Sequence, residues 1–210
     1  MALTNTQVIL WLQQCAQLFE KNSDYLTDLD REIGDADHGL NMNRGFKKVL
    51  EKLPEFENKD IGFILKNTGM TLLSNIGGAS GPLFGTFFIR GAKPAAGLES
   101  LDLNQLYDVF KDGVDGIVSR GKAQPSDKTM CDAWWPVLDA LKQANDDKLS
   151  IKEAVTKALD AAKKGAEDTI PMQAKKGRAS YLGERSMGHK DPGSASVVFI
   201  LQALTESLDK

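Results

Sequence analysis

The stretch SVVFILQALTESL, residues 196–208, decides how the chain is to be read. Its first half, VVFIL, suits a buried strand as well as a helix, because a short apolar run has no period of its own. The continuation settles the choice. Val197, Leu201, Leu204 and Leu208 follow at spacings of three and four over a length that strands seldom reach, which predicts a helix. The same spacing recurs throughout the chain. Val8, Leu12, Cys15 and Phe19 trace one face, and Leu103, Leu106, Tyr107, Phe110, Val114, Ile117 and Val118 trace another. Ser150 with Glu153 makes a capping box ahead of Ile151, Ala154, Val155, Ala158, Leu159 and Ala162. Alternating β patterns, internal repeats and low-complexity linkers are missing, and the segments 93–100 and 122–128 read as loops. An all-α single domain over residues 1–210, built from several antiparallel helices, is expected.

Composition narrows the function classes. The 210 residues are 41% apolar and 26% charged, ordinary for a globular domain with a sizeable core. A net charge of −3 gives no basic field for nucleic acid or an anionic membrane surface. The N-terminus lacks the positive flank and cleavage site of a signal peptide, and no apolar run has membrane-spanning length, so a cytoplasmic protein is expected. Cys15 and Cys131 are far apart and outside any metal pattern; both are expected to be core thiols.

The chemistry concentrates in DREIGDADHGLNMNRG, residues 30–45. Asp30, Asp35 and Asp37 sit close in sequence with Gly34 and Gly39 between and after them, so three carboxylates can converge. Each pair held about 4 Å apart would repel by roughly 4 kcal/mol at an intermediate dielectric, a cost that a bound cation removes. Oxygen-only ligation suits Mg²⁺ or Ca²⁺ rather than zinc. A calcium loop fails on position. Counted from Asp35, Leu40 stands where glycine is needed and Phe46 where glutamate is needed; counted from Asp30, those places fall to Asp35 and Asn41. A few direct ligands, with water or phosphate completing the shell, is the Mg²⁺ pattern. The competing reading, a polar turn with capping aspartates, is weakened by the third aspartate, His38 and the asparagines.

Other helix ends add to it. In NIGGASGPLFG, Gly77, Gly78, Ala79, Ser80 and Gly81 lead to Pro82, a good first helical residue, and exposed amides there would attract phosphate. The turn is neither a Walker loop nor a GxGxxG fingerprint, and by itself it equally suits close helix packing. In residues 173–196, Arg178 and Arg185 can offer guanidinium forks to phosphate, and Asp191, Pro192 and Gly193 form a turn before the last helix. Lys175, Lys176 and His189 read as surface residues, residues 129–132 as a helix cap, and Trp134 and Trp135 as packing. No Ser-His-Asp triad or cysteine nucleophile is recognisable.

Four segments together resemble one family: residues 30–45, LKNTGMTLLSNIGGASGPLFGTFF at 65–88, SRGKAQPSDKTMCD at 119–132 and KKGRASYLGERSMGHKDPGSAS at 175–196. These are similar to the nucleotide-binding subunits of bacterial dihydroxyacetone kinases, over essentially the whole chain. The resemblance implies a barrel of about eight antiparallel amphipathic helices with nucleotide at one end. It implies that Asp30, Asp35 and Asp37 hold two Mg²⁺ ions bridging the phosphates of ADP or ATP. His38, Gly39, Leu40 and Asn41 would line the nucleotide pocket, with Gly78, Ala79 and Ser80 from the glycine-rich turn. Gly121, Met130, Arg178, Asp191, Pro192 and Gly193 would complete it, and Arg178 and His38 would serve the chemistry.

The same resemblance implies partners. Dihydroxyacetone would be held by a separate substrate-binding subunit, and bound ADP would be recharged by a phosphohistidine donor of the PEP phosphotransferase system. Met1 at the start of the chain fits a separate subunit better than a domain of a fused, ATP-exchanging kinase. A transcription regulator is a further partner implied by resemblance, and a homodimer stays open. Two other readings remain at this point, a nucleotide-sensing regulatory module and, more weakly, a magnesium-dependent hydrolase.

Overall fold

Among residues 2–209, which the computed structural model describes, nine α-helices carry the fold. They are α1 (Asn5–Lys21), α2 (Ser23–Ile33), α3 (His38–Lys52), α4 (Ile61–Asn75), α5 (Ser80–Gly91), α6 (Leu103–Gly121), α7 (Cys131–Asp146), α8 (Ile151–Asp168) and α9 (Pro192–Ser207). Short 3₁₀ segments lie at Leu53–Phe56 and Arg178–Ser186. The deciding C-terminal stretch is helical, as its spacing predicts.

Neighbour relations close these helices into a ring. The sequence α3, α4, α5, α6, α7, α8, α9 packs each helix on the next, and α1 bridges α9 back to α3. Short connections make successive members run in opposite directions, the up-down topology of a helical bundle. Eight helices therefore form the barrel, and α2 is a ninth that packs outside it against α3, α9 and the 3₁₀ segment at Arg178–Ser186. The break between α1 and α2 comes at Asn22, whose backbone (φ −109°, ψ 16°) is off the helical path. A two-residue antiparallel pairing, Leu3–Thr4 with Ser100–Leu101, ties the N-terminus to the loop before α6. Two residues are too few to show an alternation, so the sequence carried no sign of it.

Aromatic side chains fill the ring. Trp134 stacks on Phe87 with ring centroids 4.4 Å apart, and Phe19 on Phe46 at 4.6 Å. Trp11 is buried between Phe88 and Phe110, and its indole N–H donates to the Ile200 carbonyl at 2.9 Å, locking α1 to α9 where the ring closes. Cys15 and Cys131 are free and buried.

Helix starts differ between the two ends of the barrel. At the end where α1, α4, α6 and α8 begin, each has its own side-chain cap: Thr4, Asp60, Asp102 and Ser150 accept first-turn N–H groups, and three of the four are full capping boxes. At the opposite end α3, α5 and α7 begin without an N-cap side-chain bond, and only α9 has one, from Asp191.

The α4–α5 contact depends on two glycines. A Cβ on Gly69 would lie 2.6 Å from the Gly85 carbonyl oxygen and 2.7 Å from the Ile89 nitrogen, and one on Gly85 would lie 2.9 Å from the Gly69 carbonyl. Gly69→Ala would gain about 1 kcal/mol of helix propensity but meets backbone that cannot yield, so overpacking of about 1–3 kcal/mol decides the sign. Denaturant unfolding is expected to show a net loss of stability for Gly69→Ala; a more stable variant would contradict the close helix contact.

Candidate functional site

Because the barrel alternates, one end gathers the starts of α3, α5, α7 and α9 and the ends of α4, α6 and α8. A cavity of about 320 Å³ opens there, within the range of small-ligand sites. His38, Ser80, Cys131 and Pro192, the first residues of those four helices, all lie in its wall. Each helix presents the positive end of its dipole and part of an unpaired first turn, so the cavity floor favours an anion.

The three aspartates stand at one side of this cavity. Each can offer a carboxylate oxygen lying within 4.8 Å of the other two, as the sequence spacing anticipates. Asp30 comes from the last turn of α2, and its Oδ2 accepts the backbone N–H groups of Asp37 (2.9 Å) and His38 (3.2 Å), folding the following turn back on the helix. A Cβ on Gly34 would collide with the Asp30 carboxylate at 2.0 Å, so only glycine lets the chain pass. Ala36, between Asp35 and Asp37, adopts a left-handed conformation (φ 60°) that is uncommon for a residue with a side chain. Oxygen donors alone, all anionic, make a set suited to Mg²⁺. Arg178 Nη2 reaches Asp35 Oδ2 at 2.9 Å across the mouth, with 69% of its side chain exposed.

His38 is a buried member of the cavity wall. Its Nδ1 lies 3.0 Å from Ser80 Oγ and its Nε2 2.7 Å from Ser196 Oγ, joining α3, α5 and α9. Burial pushes its pKa down to about 4, against opposing pulls from the Asp30 charge and the Pro192 carbonyl. The imidazole is then neutral near pH 7 and must accept at one nitrogen and donate at the other, which fixes both serine hydroxyls. Asp191 caps α9 by accepting Ser194 N–H at 2.7 Å. Burial raises its carboxyl to about 7, with the Asp132 and Asp30 charges adding and the Ser194 N–H and Lys128 opposing. The Cys131 thiol is pushed up to about 12, again by burial first, so it is no nucleophile at neutral pH.

Gly78, Ala79, Ser80, Gly121, Met130, Arg178, Asp191, Pro192 and Gly193 all line the cavity with the aspartates and His38. Gly39, Leu40 and Asn41 do not. An α-helix turns about 100° per residue, so adjacency to His38 in sequence does not carry the Leu40 and Asn41 side chains to the cavity. Gly39 packs on Ser23 and Thr27 of α2, Leu40 is 59% exposed, and Asn41 accepts from Arg44 at 2.7 Å beside Gly77. That stretch contributes the first-turn N–H groups of α3 instead. Arg185 is exposed and away from the wall, whereas Lys176, expected to be solvated, lies in it.

Sequence reasoning missed several wall residues. Leu83, Ile117 and Ala123 are apolar members of the wall, and Lys128 and Thr129 line it as well. The apolar three look like ordinary core positions, and Lys128 sits in a segment read only as a loop, so no local pattern marks them. Asp132 Oδ1 and Oδ2 accept Ser126 and Thr129 N–H at 2.7 and 2.9 Å, which makes residues 129–132 a structural turn as expected.

Comparison with known proteins bears on the family and the fold. The chain matches the DAK2 domain over residues 32–206. It is 62% identical over 204 residues to the PEP-dependent dihydroxyacetone kinase, ADP-binding subunit DhaL, of Escherichia coli (strain K12), covering 97% of each chain. It is 43% identical to the corresponding ADP-binding subunit of PEP-dependent dihydroxyacetone kinase 2 from Listeria innocua, covering 95% of this chain and 93% of that one. Among solved structures, the native dihydroxyacetone kinase of C. freundii superposes with a TM-score of 0.74 at 24% identity, over 97% of this chain and 34% of that much longer one. That likeness speaks to the fold, and the match in sequence to the family: the chain belongs to the DAK2 domain family.

Proposed function

We propose that the chain is the ADP/ATP-binding subunit of a PEP-dependent dihydroxyacetone kinase, a phosphotransferase that works with separate partner subunits. The observation that carries this reading is the end-to-end match, 62% identity over 97% of both chains, to a subunit named for that role. The geometry supplies its physical basis. Phosphates of the nucleotide lie against the starts of α3, α5, α7 and α9, and the base against Leu83, Ile117 and Ala123. Asp30, Asp35 and Asp37 hold Mg²⁺, two ions in our reading, since three carboxylates and the phosphates provide enough oxygens for both. When bound, Mg²⁺ offsets the charge on the phosphates during transfer of the γ-phosphoryl group.

The chain's own residues then position and neutralise. Arg178, exposed at the mouth, swings its guanidinium from Asp35 to the phosphate oxygens, where a bidentate contact also excludes water. Ser80 directs its hydroxyl to phosphate because neutral His38 holds it from behind; His38 is a positioning group and carries no proton in the reaction. Dihydroxyacetone is presented by a substrate-binding subunit docked over this end. Bound ADP is recharged in place by a phosphohistidine donor, so nucleotide behaves as a retained cofactor.

Four measurements test this account. Calorimetry is expected to show ADP binding only with Mg²⁺, and none for Asp37→Asn; equal binding in EDTA would overturn the metal role. Without any cation, Asp37→Asn should unfold at higher denaturant than the native chain, because it relieves the repulsions with Asp30 and Asp35, each worth about 1 kcal/mol in water near 4 Å. Arg178→Ala should weaken ADP by roughly tenfold or more, the loss of a charge-assisted bond of about 1.5 kcal/mol at the low end of its range. Finally, ATP-loaded protein mixed with substrate subunit and dihydroxyacetone should yield one equivalent of product until the phosphohistidine donor is added. Continuous turnover on free ATP would refute retention.

A further inference from the structure

Lys128 is the one buried lysine among the described residues, with 2% of its surface exposed. Its backbone is left-handed (φ 62°), which is uncommon for lysine, and it lines the cavity together with Thr129 and Met130. The ammonium finds no carboxylate within ion-pair distance. It donates instead to main-chain carbonyls of Thr169 (2.8 Å), Met172 (3.1 Å) and Ile170 (3.3 Å), and to that of His189. Three N–H groups facing four carbonyl oxygens form a cage of the kind that coordinates a monovalent cation, where backbone carbonyls replace water.

The four carbonyls come from two segments that shape the cavity. Residues 169–172 follow α8, whose carbonyl end favours a cation, and lead to Lys176 and Arg178; His189 precedes Asp191, Pro192 and Gly193. Neighbouring bonds repeat the same connections: Lys175 N–H to the Asp127 carbonyl at 3.0 Å, Gly188 N–H to the Ile170 carbonyl at 2.7 Å, and Asp191 N–H to Thr169 Oγ1 at 3.0 Å. All three segments meet at the Lys128 ammonium. Removing it would take a donor from all four carbonyls, leaving Thr169 and Ile170 only the N–H groups of Met172 and Gly188, and the space vacated would be one for water or an ion to fill.

We propose that Lys128 is a tethered monovalent cation, a positioning residue whose ammonium holds the 124–132, 169–178 and 186–193 segments in register around the nucleotide. This rests on the nucleotide-binding reading above. It predicts that the cage accepts a free cation of the same class once the side chain is cut back.

The experiment measures Mg-ADP affinity by calorimetry in sodium buffer, then with added ammonium or methylammonium chloride. Lys128→Ala is expected to bind at least tenfold more weakly in sodium and to recover most of that loss with ammonium. Lys128→Met, whose chain still fills the space, should be equally weak and gain nothing. The native chain and Arg178→Ala should not respond to ammonium beyond the effect of equal sodium chloride. A purely structural lysine would weaken both variants without rescue, and that result, or native affinity in Lys128→Met, would overturn the proposal. If Lys128→Ala loses its helical signal in sodium, ammonium should restore it, and failure to refold would equally overturn the cage. Should the native chain itself bind no ADP, the functional reading falls separately, and the cage is decided by whether ammonium raises the melting temperature of Lys128→Ala alone.

Discussion

The constraint on which the rest depends is the direction of the helices. An up-down ring must place alternate helix starts at the same end, so α3, α5, α7 and α9 all begin at the cavity. Each start contributes a partial positive charge and unpaired N–H groups, individually worth about 0.3–1 kcal/mol toward an anion. The far end shows what a structural helix start requires. There Thr4, Asp60, Asp102 and Ser150 satisfy the first turns with their own side chains, whereas α3, α5 and α7 have no such cap. Of the four helices that begin at the cavity, only α9 has an N-cap side-chain bond, from Asp191.

Three carboxylates beside that floor give the site its selectivity. Alone, the helix starts would serve any small anion. Asp30, Asp35 and Asp37 would repel a bare phosphate, so in the proposed reading an anion would enter favourably together with Mg²⁺ that these carboxylates would hold. The turn that carries them is held against local preference: Gly34 passes the Asp30 carboxylate without room for a Cβ, and Ala36 sits in the left-handed region. Backbone in sparsely populated conformations persists where surrounding bonds over-determine it, and here those bonds run from Asp30 to the amides of Asp37 and His38.

Helices and aspartates were legible in the sequence because both are local. Apolar spacing marked α1, α6, α8 and α9, and three aspartates within eight residues marked the metal side. The ring itself came only by resemblance, since closure is a relation between helices distant in the chain. Gly39, Leu40 and Asn41 each follow His38, and helical rotation sets the Gly39 backbone against α2, the Leu40 side chain in solvent and the Asn41 side chain on Arg44 beside Gly77. Leu83 and Ile117 look like any core residue, and Lys128 like any loop lysine, until the fold brings their neighbours in from other helices. His38 was visible as a polar residue, but its neutrality follows from burial between Ser80 and Ser196, which lie 42 and 158 positions away.

The claim that phosphate lies where four helix starts face three aspartates is tested most directly by crystallography of the chain grown with MnCl₂ and ADP. Manganese is an anomalous scatterer that takes the place of Mg²⁺ on oxygen ligands. The account predicts anomalous density among Asp30, Asp35 and Asp37, with the diphosphate between that density and the first turns of α3, α5, α7 and α9. Nucleotide bound elsewhere, as in the groove that Tyr25, Lys163 and Phe199 line outside the barrel, or manganese away from the aspartates, would contradict it.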